Sequence, residues 1–121
     1  MNDENKVFLN DEGYLEIVLV GNQTAESFQK AFGLATPLLK AMKDSGQPIL
    51  GLFDLTRQTG FSVSSDKAAV QLLARIQYDK VALYHVPHRE VTQGIIIVAG
   101  KTHNTKIFDD RESAVTWLLN K

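Results

Sequence analysis

The 121-residue chain has the length of one globular domain, and its residues are 44% hydrophobic and 22% charged, which is enough apolar surface for a core. Thirteen basic and fourteen acidic residues give a net charge of -1, which supplies no overall attraction to nucleic acid or to an anionic membrane. The absence of cysteine excludes disulfides and thiolate chemistry. We therefore expect a single domain over residues 1–121, located in the cytoplasm, with no nucleic-acid partner.

The hydropathy of the chain argues against membrane insertion and secretion. The first six residues are polar and acidic, unlike the basic start and apolar run of a secretory signal. The longest unbroken apolar run, Ile95 to Ala99, is far shorter than the ~20 residues of a spanning helix. We expect no membrane span.

The N-terminal third of the chain predicts a β-hairpin. Val7–Leu9 and Leu15–Val20 are apolar and rich in β-branched residues, and the segment between them, Asn10–Gly13, has the residues that tight turns prefer. Gly21 and the polar residues after it end the second strand.

Residues 25–44 predict an amphipathic helix, with Asn22 or Thr24 suited to cap its start and Gly46 to follow its end. Pro37 cannot donate to the carbonyl of Gly33, so we expect a kink or a break there. Apolar residues recur at three- and four-residue steps: Phe28, Ala31, Phe32, Ala35, Leu38, Leu39 and Met42.

The middle of the chain predicts a central strand, a polar loop and a second helix. Pro48–Asp54 is apolar without alternation, which indicates a strand covered on both faces. A loop over Thr56–Val63 follows, and Ser64 or Ser65 is suited to cap a helix that runs to Ile76. Asp66 would lie favourably in the positive first turn of that helix.

The C-terminal part predicts two more strands and a last helix. Lys80–Tyr84 and Lys106–Phe108 are short apolar strands, and Asp109 with Glu112 forms a capping-box pattern for a helix in which Trp117 should be a buried anchor. Residues 88–101 have the composition of a strand and also the stripe of a helix, so periodicity leaves their structure open.

Three motifs resemble those of the SpoIIAA-like fold, whose members are relatives of the STAS domain: Phe53-Asp54-Leu55-Thr56, Lys80-Val81-Ala82-Leu83, and the ending Ile107–Leu118. The resemblance covers most of the chain. It implies an α/β domain with about five strands in a mixed sheet and about four helices packed on it, and it places a helix at Gly94–Ala99.

In STAS antagonists, a serine at the start of the second helix, within an Asp-Ser-Ser-Gly-like motif, is phosphorylated by a partner kinase. The nearest match here is Ser64-Ser65-Asp66-Lys67, in which the acid follows the serines and no glycine comes next. The resemblance therefore implies a regulatory module and points to this helix start.

Catalytic and metal motifs are incomplete in this sequence. Gly60 to Ser64 lacks the second glycine of a nucleophile elbow, and Gly94 to Thr102 has the wrong glycine spacing for a phosphate-binding loop. His85 and His88, with His103 as a conceivable third ligand, have a metal-like spacing that Pro87 interrupts. We predict no cofactor and no metal.

The candidate site is the end of the central strand together with the loop and helix start after it. Hydroxyls, backbone amides and a helix dipole there could bind an anionic group or a partner, although loop-capping roles explain the same residues. The candidate residues are Asp54, Thr56, Arg57, Ser62, Ser64, Ser65 and Asp66.

Three functions stay open at this stage. The first is a non-enzymatic binding or regulatory module that docks a partner through the candidate site and is switched by phosphorylation of Ser62, Ser64 or Ser65. The second is a carrier of a small apolar or lipid-like ligand, because residues 95–98 are too apolar for one helix stripe; a buried helix or a homodimer surface explains them equally. The third is a small enzyme of unknown class.

Overall fold

The computed structural model describes residues 4–61 and 63–119, apart from the side chains of residues 61, 63 and 64. Within these residues the elements, in chain order, are β1 (Lys6–Leu9), β2 (Leu15–Val18), β3 (Gly21–Gln23), α1 (Ala25–Asp44), β4 (Leu50–Asp54), β5 (Gln58–Phe61), α2 (Val63–Arg75), β6 (Lys80–Tyr84), α3 (Arg89–Val98), β7 (Thr105–Phe108) and α4 (Arg111–Leu118). None of the described helices has both the length and the apolar character needed to cross a membrane.

The main sheet has five strands in the order β1-β2-β4-β6-β7. The predicted hairpin forms the antiparallel pair β1–β2, and β2, β4, β6 and β7 pair in parallel. Gly13, with a φ of 94°, closes the hairpin turn, as the tight-turn composition predicts. The sheet is therefore mixed, with the predicted central strand at its centre.

Two apolar clusters cover the two faces of this sheet. Side chains from alternate positions of β2, β4 and β6 pack on one face with helices α1, α2 and α3, and those from the positions between them pack on the other face with α4. Phe53 and Leu52 are neighbours in β4 and lie in different clusters. Burial on both faces explains why the sequence of β4 shows no alternation.

A second, two-stranded sheet pairs β3 with β5 in parallel. Sequence reasoning assigned the first of these segments to the end of a strand and the second to a loop, and both assignments are wrong. Both segments consist mainly of glycine and polar residues, a composition that is typical of turns and loops. Their pairing places residues 58–61 beside the start of α1.

The helix α1 continues through Pro37 as one segment of twenty residues, so the helix is not broken there. Both Pro37 and Gly33 are exposed, so water can satisfy the Gly33 carbonyl that loses its donor. Thr24 caps the helix through a hydrogen bond from the Ser27 amide of 3.1 Å. Of the two predicted caps, Asn22 and Thr24, the structure uses Thr24.

The last two helices differ in how well the sequence predicts them. Residues 89–98 form α3, as the family resemblance implies. The cap of α4 is Asp110, which accepts from the Ser113 amide at 2.7 Å, and not Asp109 as the capping-box pattern suggested. With Asp110 as the cap, Ser113 is the third residue of α4, and Glu112 is the second and not the third as the capping-box pattern requires.

Trp117 is half-buried, whereas Ala114 and Leu118 are the buried residues of α4. Its ring lies 5.0 Å from Lys80 Nζ and 5.6 Å from Lys106 Nζ, both measured to the ring centroid. Lys80 Nζ also donates to the Trp117 carbonyl at 3.0 Å. The expectation of a buried anchor is corrected, because two lysines from the sheet cover the ring in its place.

We expect Leu52→Ala to lower the free energy of unfolding by about 2 to 5 kcal/mol, because Leu52 is fully buried between β4 and α4 and its removal leaves a cavity. Leu34→Ala is the matched control, since Leu34 is 50% exposed, and its effect should stay within about 0.5 kcal/mol. Urea denaturation followed by circular dichroism measures both. Equal losses in the two variants would contradict this account of the core.

Candidate functional site

A polar cluster lies on the sheet face that α4 covers. Tyr14 precedes β2, Glu16 lies in it, Asp54 and Tyr84 end β4 and β6 as register partners, and Arg111 is the first residue of α4. The two-residue alternation of the strands brings the sheet residues to one face.

Arg111 is the centre of this cluster. Its Nη1 atom donates to Tyr84 Oη at 3.1 Å and to Glu16 Oε2 at 3.3 Å, and its Nη2 atom donates to Tyr14 Oη at 3.3 Å and to Glu16 Oε1. Asn10 Nδ2 also donates to Glu16 Oε1, at 2.9 Å. The Glu16 side chain is only 7% exposed, so its charge is held by a bidentate ion pair and by an amide.

The surroundings of Tyr14, Tyr84 and Arg111 raise the pKa of each of these side chains. Burial raises the pKa of the Tyr84 phenol and of the Tyr14 phenol above 10.0, against the lowering effect of Arg111. Hydrogen bonding to Glu16 raises the pKa of Arg111. Two neutral phenols and one permanent ion pair thus hold the start of α4 on the sheet.

Asp54 joins this cluster to the carboxyl edge of the sheet, where β4 and β6 end. Its carboxylate accepts from the Tyr84 hydroxyl and, through Oδ1, from the Thr56 amide at 3.0 Å. The Thr56 hydroxyl in turn bonds His85 Nδ1 at 2.7 Å. Hydrogen bonds therefore run from buried Glu16 through Arg111 to an exposed threonine–histidine pair.

The backbone at this edge is strained in the β6–α3 loop. His85 and His88 have φ values of 54° and 50°, in the left-handed region, and both side chains are exposed. Such a conformation costs a residue other than glycine about 1 to 3 kcal/mol, and it tends to persist where function requires it. Because the side chain of His88 makes no capping bond to α3, helix capping does not account for its conformation.

The predicted site residues fall into two groups. Asp54, Thr56 and Arg57 lie at the carboxyl edge; Arg57 is exposed, and its carbonyl accepts from the Gly21 amide at 2.9 Å. The other predicted residues belong to the start of α2: Ser62 and the side chain of Ser64 lie outside the described residues, Ser65 is fully buried, and Asp66 is half-buried.

The histidines are not brought together with other ligands. Within residues 4–61 and 63–119, no three histidine or acidic residues form a group that could hold a metal ion. His85 is already bonded to Thr56. His85 and His88 are therefore described as residues of the strained β6–α3 loop and not as metal ligands.

A cavity of about 60 Å³ lies on the opposite face of the sheet, beneath α1, α2 and α3. Phe28, Phe53, Leu73 and Ile96 are among its apolar walls, and Gln58 and Thr92 also line it. Ile95 and Ile96 contact the cavity as the carrier hypothesis predicted, whereas Ile97 and Val98 are 57% and 73% exposed. The apolar run of α3 is thus shared between the interior and the surface.

Comparisons with known proteins match the architecture. An uncharacterised DUF3478-family protein with a SpoIIAA-like fold from Shewanella loihica PV-4 superposes with a TM-score of 0.62 and 22% identity, over 94% of this chain and 91% of that one. The chain has a SpoIIAA-like fold. The anti-sigma-factor antagonist SpoIIAA in its unphosphorylated form also superposes, with a TM-score of 0.59 and 8% identity, over 96% of this chain and 97% of that one. No family model and no curated protein matches the sequence.

The SpoIIAA-like topology explains which site residues sequence reasoning missed. Tyr14, Glu16, Tyr84 and Arg111 are distant in sequence, and Glu16 and Arg111 are separated by 95 positions. The sequence did contain one signal for this cluster. Tyr14 and Glu16 interrupt an apolar strand pattern and, being two residues apart, share one face of the sheet. Their partner could be recognised only once the sheet order was known.

The acid stability of this SpoIIAA-like domain should depend on Asp54. Burial alone would raise the pKa of its carboxyl, but the bonds from Thr56 and Tyr84 outweigh burial and hold the pKa below 3.8. A lowered pKa contributes stability that is present above the ordinary value and is lost as the pH falls through the lowered one. We expect Asp54→Asn to flatten the dependence of the free energy of unfolding on pH below about pH 4.

Urea titrations at a series of pH values measure this slope. Asparagine keeps an acceptor for the Thr56 amide, so the variant should fold. Asp110→Asn is the companion variant, because the bonds from Ser113 lower the pKa of Asp110, and the double variant should be flatter still. An Asp54→Asn profile parallel to that of the native chain would contradict the assignment.

Proposed function

We propose that this chain is a non-enzymatic cytoplasmic binding and regulatory module that docks a protein partner through the carboxyl edge of its sheet and the start of α2. The observation that carries the proposal is the exposed Thr56–His85 pair, which joins the β4–β5 loop to the strained β6–α3 loop. Two loops fixed in this way present a preorganised surface, which lowers the entropic cost of docking.

Charge and exposure at this edge support a polar docking surface. Thr56, Arg57, His85 and His88 are exposed and supply donors, acceptors and at least one positive charge. The Asp54 carboxylate fixes the β4–β5 loop by accepting a hydrogen bond from the Thr56 amide. A partner would therefore bind Thr56 and His85 in a geometry that hydrogen bonds to the Arg111 cluster already fix.

The likeness to an anti-sigma-factor antagonist supports the same class of function by analogy of fold, since the identity is only 8%. A regulatory role would require a switch near the docking surface. Ser62 and Ser64 adjoin the start of α2 in the sequence; the positive end of the helix dipole would favour a phosphate on either serine, and Asp66 in the first turn would oppose it. Phosphorylation would therefore change the charge of the surface by about -1.5 to -2.

Site-specific photo-crosslinking in the native cells tests the docking surface. A photoreactive residue at position 56 should yield a discrete protein adduct, because Thr56 is exposed at the carboxyl edge. The matched control is position 102, an exposed threonine in the turn that leads into β7 at the opposite edge of the sheet, which should yield none.

The same adduct from both positions would indicate non-specific capture and would contradict the proposed surface. No adduct from position 56, in a chain whose circular dichroism is native, would contradict it as well.

Intact-mass analysis of protein from native cells tests the switch. We expect a species heavier by one phosphate that is lost in Ser62→Ala or Ser64→Ala and is retained in Ser45→Ala, a variant at an exposed serine after α1. Ser65 should stay unmodified in the folded chain, because its side chain is fully buried. Detection of the unmodified mass alone across growth conditions would contradict the phosphorylation step and leave the crosslinking result as the test of docking.

The carriage of a small apolar ligand is a second candidate function, and the cavity beneath α3 favours it. Its walls are apolar side chains from the sheet and three helices, as a carrier requires. A cavity engineered in another protein at about 150 Å³ binds benzene, so a volume of about 60 Å³ suits a shorter molecule.

The exposed apolar residues of α3 support a homodimer in which two copies of the chain pack through this helix. Val91, Ile97 and Val98 are 42%, 57% and 73% exposed. Apolar surface of this kind is typical of interaction sites. Self-association through α3 stays a prediction.

A further inference from the structure

We propose that the cavity binds the hydroxyl end of a small neutral alcohol, held by Gln58 and Thr92. The inference rests on the proposed carrier function and adds the chemistry of the ligand. Its basis is that both side chains are 5% exposed, line the cavity, and each has a polar atom without a hydrogen-bond partner among the described residues.

The amide of Gln58 presents its oxygen as the free atom. Its Nε2 atom donates to the carbonyl of Gly60 at 3.4 Å, and turning the amide over would set two oxygens against each other. Oε1 is the atom without a partner. Gln58 therefore needs a donor, which the apolar walls cannot provide.

The hydroxyl of Thr92 is free for a different reason. A threonine in a helix usually satisfies its hydroxyl with the carbonyl four residues earlier. Here the carbonyl of His88 already accepts from the amides of Val91 and Thr92, at 3.0 and 3.2 Å. Thr92 Oγ1 has no hydrogen-bond partner in the part of the chain that the structure describes, and it can either donate or accept.

The third polar side chain that lines the cavity is already satisfied. Thr105 Oγ1 bonds Tyr78 Oη at 2.6 Å and donates to Asn104 Oδ1 at 3.3 Å. Among the described residues that line the cavity, the polar atoms that still need a partner are therefore Gln58 Oε1, an acceptor, and the Thr92 hydroxyl. Leaving such groups buried and unpaired is unfavourable, so a ligand that pairs with them binds more tightly.

A ligand hydroxyl matches both groups, because it can donate to Gln58 Oε1 while it pairs with Thr92 Oγ1. A carboxylate has no proton for Gln58, and no charged side chain among residues 4–61 and 63–119 lines the cavity to balance an ionic ligand. The apolar walls accommodate the hydrocarbon part. The recognised chemistry is therefore a short neutral alcohol, whether it is a free metabolite or the end of a larger apolar molecule.

A larger hollow of about 190 Å³ lies between residues 4–5 and α1, but it lacks this signature. Asn5 Oδ1 accepts from the Val20 amide at 2.8 Å, and Ser27 Oγ donates to Gln23 Oε1 at 2.9 Å. The polar groups named here are paired within the protein. The smaller cavity is the better site because Gln58 Oε1 and Thr92 Oγ1 have no hydrogen-bond partner among the described residues.

Nuclear magnetic resonance titration with n-propanol and n-propyl chloride tests the inference, since the two probes share a propyl chain and only the alcohol carries a hydroxyl group. We expect saturable shifts of the Leu73 and Ile96 methyls, which line the cavity, and none of the Leu34 methyls, which are exposed on α1. The native chain should bind the alcohol more tightly, on the order of fivefold.

The double variant Gln58→Leu, Thr92→Val should reverse that preference, because an apolar cavity favours the chloride, which loses less hydration. Each single variant should reduce the preference for the alcohol. The single variants also keep the test valid if the double variant fails to fold, since Thr92→Val preserves the shape of the side chain. Tighter binding of the chloride to the native chain would overturn the hydroxyl site while leaving the carrier function standing. A lack of saturable shift with either probe would overturn both.

Discussion

The ion pair between Arg111 and Glu16 is the interaction on which the α4 side of the molecule depends. A carboxylate as buried as Glu16 would be costly without a cation, and truncation of one partner of such a pair leaves the other charge uncompensated. The pair also fixes the first residue of α4 over β2. Further along the same helix, Ala114 and Leu118 are buried in one cluster with Leu52.

The same interaction reaches the surface through a short series of bonds. Arg111 bonds the Tyr84 hydroxyl, Tyr84 bonds Asp54, and Asp54 holds the amide of Thr56, whose hydroxyl bonds His85. Charge that is satisfied inside the protein thereby sets the conformation of exposed loops. The loops at the carboxyl edge are held by bonds to distant residues, so the sequence of the loops alone does not reveal what fixes them.

The sequence predicted the elements whose patterns are local. The β1–β2 hairpin, α1 with its Thr24 cap and the doubly buried β4 could all be inferred from neighbouring residues. The strands β3 and β5 could not, because their glycine and polar residues have the composition of turns and loops. For residues 88–101 the period was ambiguous, and only the family resemblance indicated the helix α3.

The candidate site was predicted in part for a related reason. The end of a central strand is a reasonable place to expect exposed polar residues, and Asp54 and Thr56 lie there. The bonds that hold them involve Tyr84 and His85, thirty or so positions away, and so depend on strand order. The cavity is a property of packed volume, which composition does not determine.

Trp117, covered by two lysines on the α4 face, gives the molecule a built-in optical reporter. It is the one tryptophan in the chain, so intrinsic emission describes a single location. Its ring packs 5.6 Å from Phe108, between ring centroids, and within reach of Lys80 and Lys106, and detachment of α4 would remove all three neighbours. Because the cavity lies across the sheet, the emission of Trp117 can follow the unfolding of the domain independently of what occupies the other side.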